Sequence, residues 1–389
     1  MLRTRIRSGV PGFGWVFGVA LLASACTGPN RHSGLKPDET VLSRDWTLST
    51  RDILETTGRG YEYSNPVVFE NTLVFGSRSL GLAALYPGLQ QYRWTLPIEG
   101  GVVSEILVEK GVVYFGGGDG YLYAVQAENG RVVWRLDVHG PIVSRPTLDG
   151  GRLFITTADD TVYALDAATK KWLWHYRRRT AGSATVRGAS SPWVDSGEVL
   201  VGLSDGFLVA LNAADGSLKW ERKLHQGSKF TDVDARPVLD QGVLYVPSYD
   251  GALYALKRQG GEILWRFDAG GSRQVVVEGE RLYLPSSDGS VYALQKSNAK
   301  VIWKFEMDGG TPTQLTSTDR HLIFGSSYQY LYVVEKATGR GVYRFNSGWG
   351  SGFTSTPALD PEGKKLYLLS SGGNLMAFRY SGSEGTRRR

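Results

Sequence analysis

Apolar residues in this chain fall in short runs, and the runs are broken by turn-forming pairs instead of by the polar face of a helix. Tight turns between alternating apolar runs define β-hairpins. From Ser64 to Phe378 one hairpin recurs about every 38 to 46 residues, with a second run ending in Tyr-Ala-Leu or a close variant. Its turns are Asp119-Gly120, Asp205-Gly206, Asp250-Gly251 and Asp288-Gly289, with degenerate copies at Asp159-Asp160, Tyr328-Gln329 and Gly372-Gly373. Asp-Gly predicts a two-residue type I′ turn, which needs positive φ twice, so these aspartates are read as turn formers and not as acids.

A period near forty residues is the mark of a repeat architecture, which overrides any domain count drawn from length. Aligned on the small residue after the hairpin, the copies fall at Ala84, Ala124, Ala164, Ala210, Ala255, Ala293, Val333 and Ala377. Ten residues beyond each of the first seven stands a large aromatic: Trp94, Trp134, Trp174, Trp220, Trp265, Trp303 and Tyr343. A second turn lies between anchor and aromatic, as in Glu128-Asn129-Gly130. Pro66, Pro146, Pro192 and Pro237 each lie eighteen residues before an anchor and mark where a first strand opens, since proline is tolerated where its missing N–H costs no ladder bond. Each copy is therefore four short antiparallel strands, one propeller blade. An aromatic at a fixed place in every blade is expected to pack against the neighbouring blade.

The eighth copy lacks its own aromatic strand, because ten residues past Ala377 lies Arg387 in a charged tail. An unassigned strand-like run, Trp46-Thr47-Leu48-Ser49, carries the missing tryptophan. The expectation is an all-β chain, an eight-bladed β-propeller of four-stranded antiparallel blades over residues 44–380, closed by an N-terminal strand in the last blade. Closure removes two sheet edges that would otherwise invite aggregation.

The first residues change the picture of where the propeller sits. Arg3, Arg5 and Arg7 precede an apolar stretch from Val10 to Leu22, too short and glycine-interrupted to span a membrane, and residues 1–25 read as a signal peptide. Leu22-Ala23-Ser24-Ala25-Cys26 resembles the bacterial lipobox, with Ala23 where leucine is usual. Cys26 is then the lipidated residue, residues 26–43 carry the lipid and a flexible tether, and 381–389 form a disordered basic tail. Thr27 stands where an inner-membrane retention Asp would be, which implies outer-membrane sorting. Cys26 is the single cysteine, so an exported chain has no internal disulfide and is held by packing.

Charge and chemistry then exclude more than they add. The formal charge of +6 falls to +3 without the leader arginines, and Arg387, Arg388 and Arg389 account for the rest, leaving no basic stripe for nucleic acid. The five histidines, His32, His139, His175, His225 and His321, are scattered without metal-ligand spacing. Phe115-Gly116-Gly117-Gly118-Asp119-Gly120 leads into a strand and is a hairpin, not a phosphate loop. Arg177, Arg178 and Arg179 read as solvated surface. No catalytic, metal or cofactor residue is assigned.

The repeat from Gly111 through Asp119-Gly120 and Tyr123-Ala124 to Trp134 resembles the PQQ-like propeller repeat, a family of quinoprotein dehydrogenases and non-enzymatic lipoproteins. Two runs, Val186-Arg187-Gly188-Ala189-Ser190-Ser191-Pro192 and Thr231-Asp232-Val233-Asp234-Ala235-Arg236-Pro237, are similar to stretches of the BamB lipoproteins of the outer-membrane β-barrel assembly machinery. The resemblance implies a non-catalytic scaffold anchored on the periplasmic side of the outer membrane, with Arg187, Asp232 and Asp234 as polar contacts to BamA-like periplasmic domains. Ala184 and Val186 would be the adjoining apolar contacts; both are smaller than the leucines common there, which reduces buried area. Unfolded outer-membrane polypeptides are further candidate partners, and the protein is expected to be monomeric. From the residues alone, Asp232 and Asp234 project to one side of an extended segment, and with Arg187 form either a binding patch or an intramolecular ion pair. Two alternatives stay open: a propeller lipoprotein serving another periplasmic partner, and a quinoprotein dehydrogenase, against which the lack of a vicinal cysteine pair argues.

Overall fold

The computed structural model describes His32, Glu62 and residues 41–50, 64–178, 190–225 and 232–382. Among the described residues thirty-two strands form eight four-stranded antiparallel sheets, seven of them ordered as in the sequence and the eighth completed by the first strand of the chain, arranged as an eight-bladed propeller. The first strand of a blade faces the axis and the fourth forms the rim. Second and third strands are buried on both faces between neighbouring blades, which is why runs such as Leu73-Val74-Phe75 and Leu82-Ala83-Ala84-Leu85 are continuously apolar. Rim strands such as Val132–Asp137 and Leu218–Lys223 alternate between exposed and half-buried positions, one face packed and one wet.

The ten-residue offset is a hairpin register. Ala84 pairs directly with Trp94, Ala124 with Trp134, Ala210 with Trp220 and Val333 with Tyr343. A β-bulge follows each anchor, between Ala84 and Leu85 and at the same place in the other copies, and bends the rim strand. Six residues past the anchor the backbone turns to positive φ in every one of these seven hairpins, at Gln90, Gly130, Lys170, Gly216, Gly261, Ala299 and Gly339. The preceding blade's tryptophan lies over this corner: a Cβ on Gly130 would stand 2.6 Å from the Trp94 ring. Trp94 Nε1 also donates to the Ala127 carbonyl at 3.0 Å, and Trp174 and Trp303 make the same bond to Ala213 and Lys336. The aromatics are thus staples between blades that bury a large ring, and at Trp94, Trp174 and Trp303 the indole N–H is satisfied as well, whereas Trp220 Nε1 is buried without a hydrogen-bond partner among the described residues.

The Asp-Gly turns differ from the expected type. Gly120, Gly206, Gly251 and Gly289 have positive φ, but the aspartate before each does not. Gly120 N donates to Gly117 O, and Gly117 N to Tyr121 O, which makes a three-residue loop: a type I turn followed by a glycine bulge. The aspartates serve this turn. Asp288 Oδ1 accepts from Ser290 N at 2.9 Å and Oδ2 from the Tyr292 hydroxyl at 2.6 Å, and Asp119 and Asp250 repeat both bonds.

Leu42–Ser49 supplies the rim strand of the last blade, pairing antiparallel with Asn374–Tyr380, and Trp46 stands opposite Ala377 as each other aromatic stands opposite its anchor. The strand begins at Leu42, slightly ahead of the expected boundary, because Leu42 is itself fully buried among Ile323, Leu331 and Phe378 at the seam of blades 7 and 8. On the other flank Leu73, Phe75 and Leu85 of blade 1 pack with Tyr367, Leu369 and Leu375 of blade 8, Trp46 leaning on them. His32, expected within a flexible tether, stacks on Phe305 with ring centroids 4.6 Å apart and donates through its backbone N to Asp308 Oδ1 at 3.0 Å.

Candidate binding surface on the connector face

In an antiparallel blade the connections alternate between ends, so the turns between second and third strands share one face with the connectors that lead to the next blade. Of the residues read from the sequence as a partner surface, Asp232 and Asp234 lie on the connector of this face. Ala184, Val186 and Arg187 lie outside the described residues, as does Cys26. Asp232 and Asp234 are described, and their surroundings differ. The segment carrying them lies outside any strand: Val233 is fully buried against blade 4, its N–H donating to the Leu203 carbonyl at 3.1 Å. Asp232 is 1% exposed, and its carbonyl accepts from Tyr249 N at 2.9 Å. Asp234 instead lines the mouth of the axial channel. A two-residue spacing places side chains on one side only where the backbone is a strand, and here it is not.

Asp232 has acidic company. Asp160, in the turn of blade 3, accepts from Ser204 N at 3.1 Å and from the Ser204 hydroxyl. Burial lifts the Asp160 carboxyl above its ordinary value; the Ser204 bonds oppose this, and the charges of Asp205 and Asp232 add to it. Asp205 is bonded to Arg178, whose guanidinium also reaches Glu221 at 3.0 Å and lies over the Phe207 ring. Arg178 is therefore a tie between blades 3 and 4 and not the solvated residue expected; Arg177 pairs with Asp159 at 3.4 Å. Across the same face, at blades 7 and 8, Tyr328 and the largely exposed Trp349 make an edge-on pair at 6.5 Å.

At the centre, the residue two positions before each first strand points into a funnel of about 510 Å³. These are Asn65, Glu105, Arg145, Ser191, Arg236 and Gln274 in blades 1 to 6, then Gln314 and Thr356. All eight are polar, one from each blade. The position is held by its predecessor: Ser64, Ser104, Ser144 and Ser190 accept through Oγ from Gly76, Gly116, Thr156 and Gly202 N of the second strand. Sequence reasoning passed over this ring because its residues share polarity and not identity; the signal present was the slot just before Pro66, Pro146, Pro192 and Pro237.

Two guanidiniums dominate the funnel. Arg145 Nε is held by Ile106 O and Arg236 Nε by Pro192 O, both at 3.3 Å, and Arg236 lies over the Trp193 ring. Burial and the neighbouring Arg145 pull the Arg236 pKa down to about 10, with Glu105 acting the other way. Arg273 of blade 6 donates across to Thr354 O of blade 8 at 3.2 Å. Among the described residues no group of His, Cys, Asp or Glu is placed to hold a metal ion.

Eight aromatic-stapled blades around a polar axial funnel define a propeller of the PQQ-like repeat class. Within that class the chain belongs to the family described as outer membrane protein assembly factor BamB, which matches residues 82–305 and 249–387. The outer membrane protein assembly factor BamB of Yersinia pestis is 29% identical over 212 residues, 50% of each chain. That of Alteromonas naphthalenivorans is 32% identical over 183 residues, 45% of this chain and 44% of the relative. The chain thus spans about half or less of the length of the curated relatives it matches. The crystal structure of BamB from Moraxella catarrhalis superposes with a TM-score of 0.74 at 19% identity, covering 87% of this chain and 100% of that one. A quinohemoprotein alcohol dehydrogenase from Comamonas testosteroni shares the fold as well, with a TM-score of 0.68 at 16% identity, covering 90% of this chain and 78% of the dehydrogenase.

Proposed function

We propose that the protein is a non-catalytic scaffold of the outer-membrane β-barrel assembly machinery, held to the periplasmic face of the outer membrane by lipid on Cys26. It docks BamA-like periplasmic domains and assists insertion of outer-membrane proteins as a monomer. The observation that carries this reading is the family match, which runs through blades 1 to 8. In the docking surface, Arg187 and Asp234 supply polar contacts and Ala184 and Val186 apolar ones. Asp232 supports the surface from beneath, since its burial leaves it little contact area of its own.

The test is co-purification of detergent-solubilised BamA-like protein from the native organism with tagged protein, comparing wild type with Arg187→Glu and Asp234→Asn after circular dichroism shows each folded. Retention by wild type and loss by Arg187→Glu is the expected result. Should wild type retain none, the protein serves another periplasmic partner.

A further inference from the structure

The axial funnel shares Asp234 with the docking surface just described, but its two dominant guanidiniums, Arg145 and Arg236, lie outside that surface. Arg145 and Arg236 come from blades 3 and 5, separated by Ser191 of blade 4. Each is oriented through Nε by a backbone carbonyl, and neither forms a salt bridge among the described residues. The Nη edges of both are thereby left toward the funnel, the fork that matches carboxylate and phosphoryl oxygens. Arg273, from blade 6 beside blade 5, reaches across to the Thr354 carbonyl of blade 8, so cationic groups approach one space from three blades. Glu105 and Asp234 offset part of that charge and leave a net +1 at the funnel. Two like charges side by side in a half-buried site oppose each other unless an anion is shared between them, and a structural role alone would be met by neutral side chains, as it is at Asn65, Gln274 and Gln314. The volume is in the range of small-ligand sites, and serine, threonine and amide groups complete a rim able to orient a polar molecule.

We propose that the axial funnel is a binding site for a compact organic oxyanion bearing carboxylate or phosphoryl groups, clamped between Arg145 and Arg236 with Arg273 lining the same space. The shared chemistry is bidentate oxyanion recognition. The ligand bridges blades 3 and 5 and so ties together the part of the ring that also carries Asp232 and Asp234.

The experiment uses the full chain in detergent, with citrate and pyrophosphate as separate probes and sodium chloride at matched ionic strength as the control. Isothermal titration gives Kd and differential scanning fluorimetry gives Tm. At a probe concentration near one hundred Kd the Tm is expected to rise by about 4 °C over the chloride control. Arg236→Gln and Arg145→Gln should each weaken Kd by at least about tenfold, while the Tm without probe stays level or rises because a like-charge contact is relieved. Arg236→Lys, which keeps charge but loses the fork, should fall between. Binding of citrate alone assigns carboxylate ligands, of pyrophosphate alone phosphoryl ligands, and of both a general oxyanion clamp. The proposal is overturned if neither probe shifts Tm beyond chloride, or if the glutamine variants bind as wild type does. It is also overturned if both glutamine variants lower the probe-free Tm, since that assigns the arginines to the fold. None of these readouts involves a partner protein, so failure here leaves the docking proposal standing.

Discussion

Leu42→Ala probes the one seam of the ring that no covalent hairpin closes. Leu42 is fully buried and sits at the start of the strand that the N-terminal segment donates to blade 8, packed on Ile323 and Leu331 of blade 7 and Phe378 of blade 8. Truncating a buried leucine costs about 3 kcal/mol, from lost transfer energy and the cavity left behind. For an ordered body of about 340 residues the unfolding entropy near Tm is roughly 0.7 kcal/mol per degree, so Tm should fall by about 4 °C. The local effect is more diagnostic. If the seam opens before the ring unfolds, amides of Asn374–Tyr380, which pair with the donated strand, should lose hydrogen-exchange protection by roughly 150-fold, the factor that 3 kcal/mol represents. Amides of Thr161–Asp166 in blade 3 should keep theirs. Equal loss of protection in both strands would refute the reasoning, because it would mean that the ring melts as one unit and the seam is no weaker than any other blade boundary. A Tm change under about 1 °C would refute the packing estimate itself.

Two further perturbations test other parts of the argument. Gly130→Ala should destabilise by about 2 kcal/mol in chemical denaturation, through displacement of the Trp94 ring 2.6 Å away; Lys170 and Ala299 occupy the same corner with positive φ, so a loss much smaller than this would mean that the ring yields freely. His321 is buried at the closing seam with Nδ1 at 2.7 Å from the Tyr380 hydroxyl, and burial, with Arg320 adding, holds its pKa below the ordinary 6.5. A base whose folded pKa is depressed stabilises above the unfolded value and loses that contribution as pH falls, so wild-type Tm should drop below pH 6.5 relative to His321→Gln. Parallel Tm curves for the two proteins between pH 7.5 and 5 would refute the assignment.

The repeat and its register were legible in the sequence for a physical reason: every blade repeats the same packing problem and solves it with the same small-to-large pair. The fixed interval from Ala84 to Trp94 is a direct cross-strand pairing, and the absence of an aromatic ten residues past Ala377 points to Trp46, which stands opposite Ala377. The turn type was misjudged because Asp-Gly also suits a type I turn with a glycine bulge, and the two differ only in the number of residues that the backbone bonds enclose.

What the sequence determined by itself is what local pattern can encode: strand number, hairpin register, the place of each staple and the identity of the closing strand. Tertiary structure alone decided the surroundings of single side chains. Asp232 and Asp234, two residues apart, differ in surroundings, the first buried within the connector and the second lining the axial funnel, with buried Val233 between them. Arg145 and Arg236 lie 91 residues apart in the chain and share one cavity only because the ring brings the same slot of every blade to the axis. That convergence has no signature in any one blade, since each contributes a single polar residue whose meaning comes from the seven others.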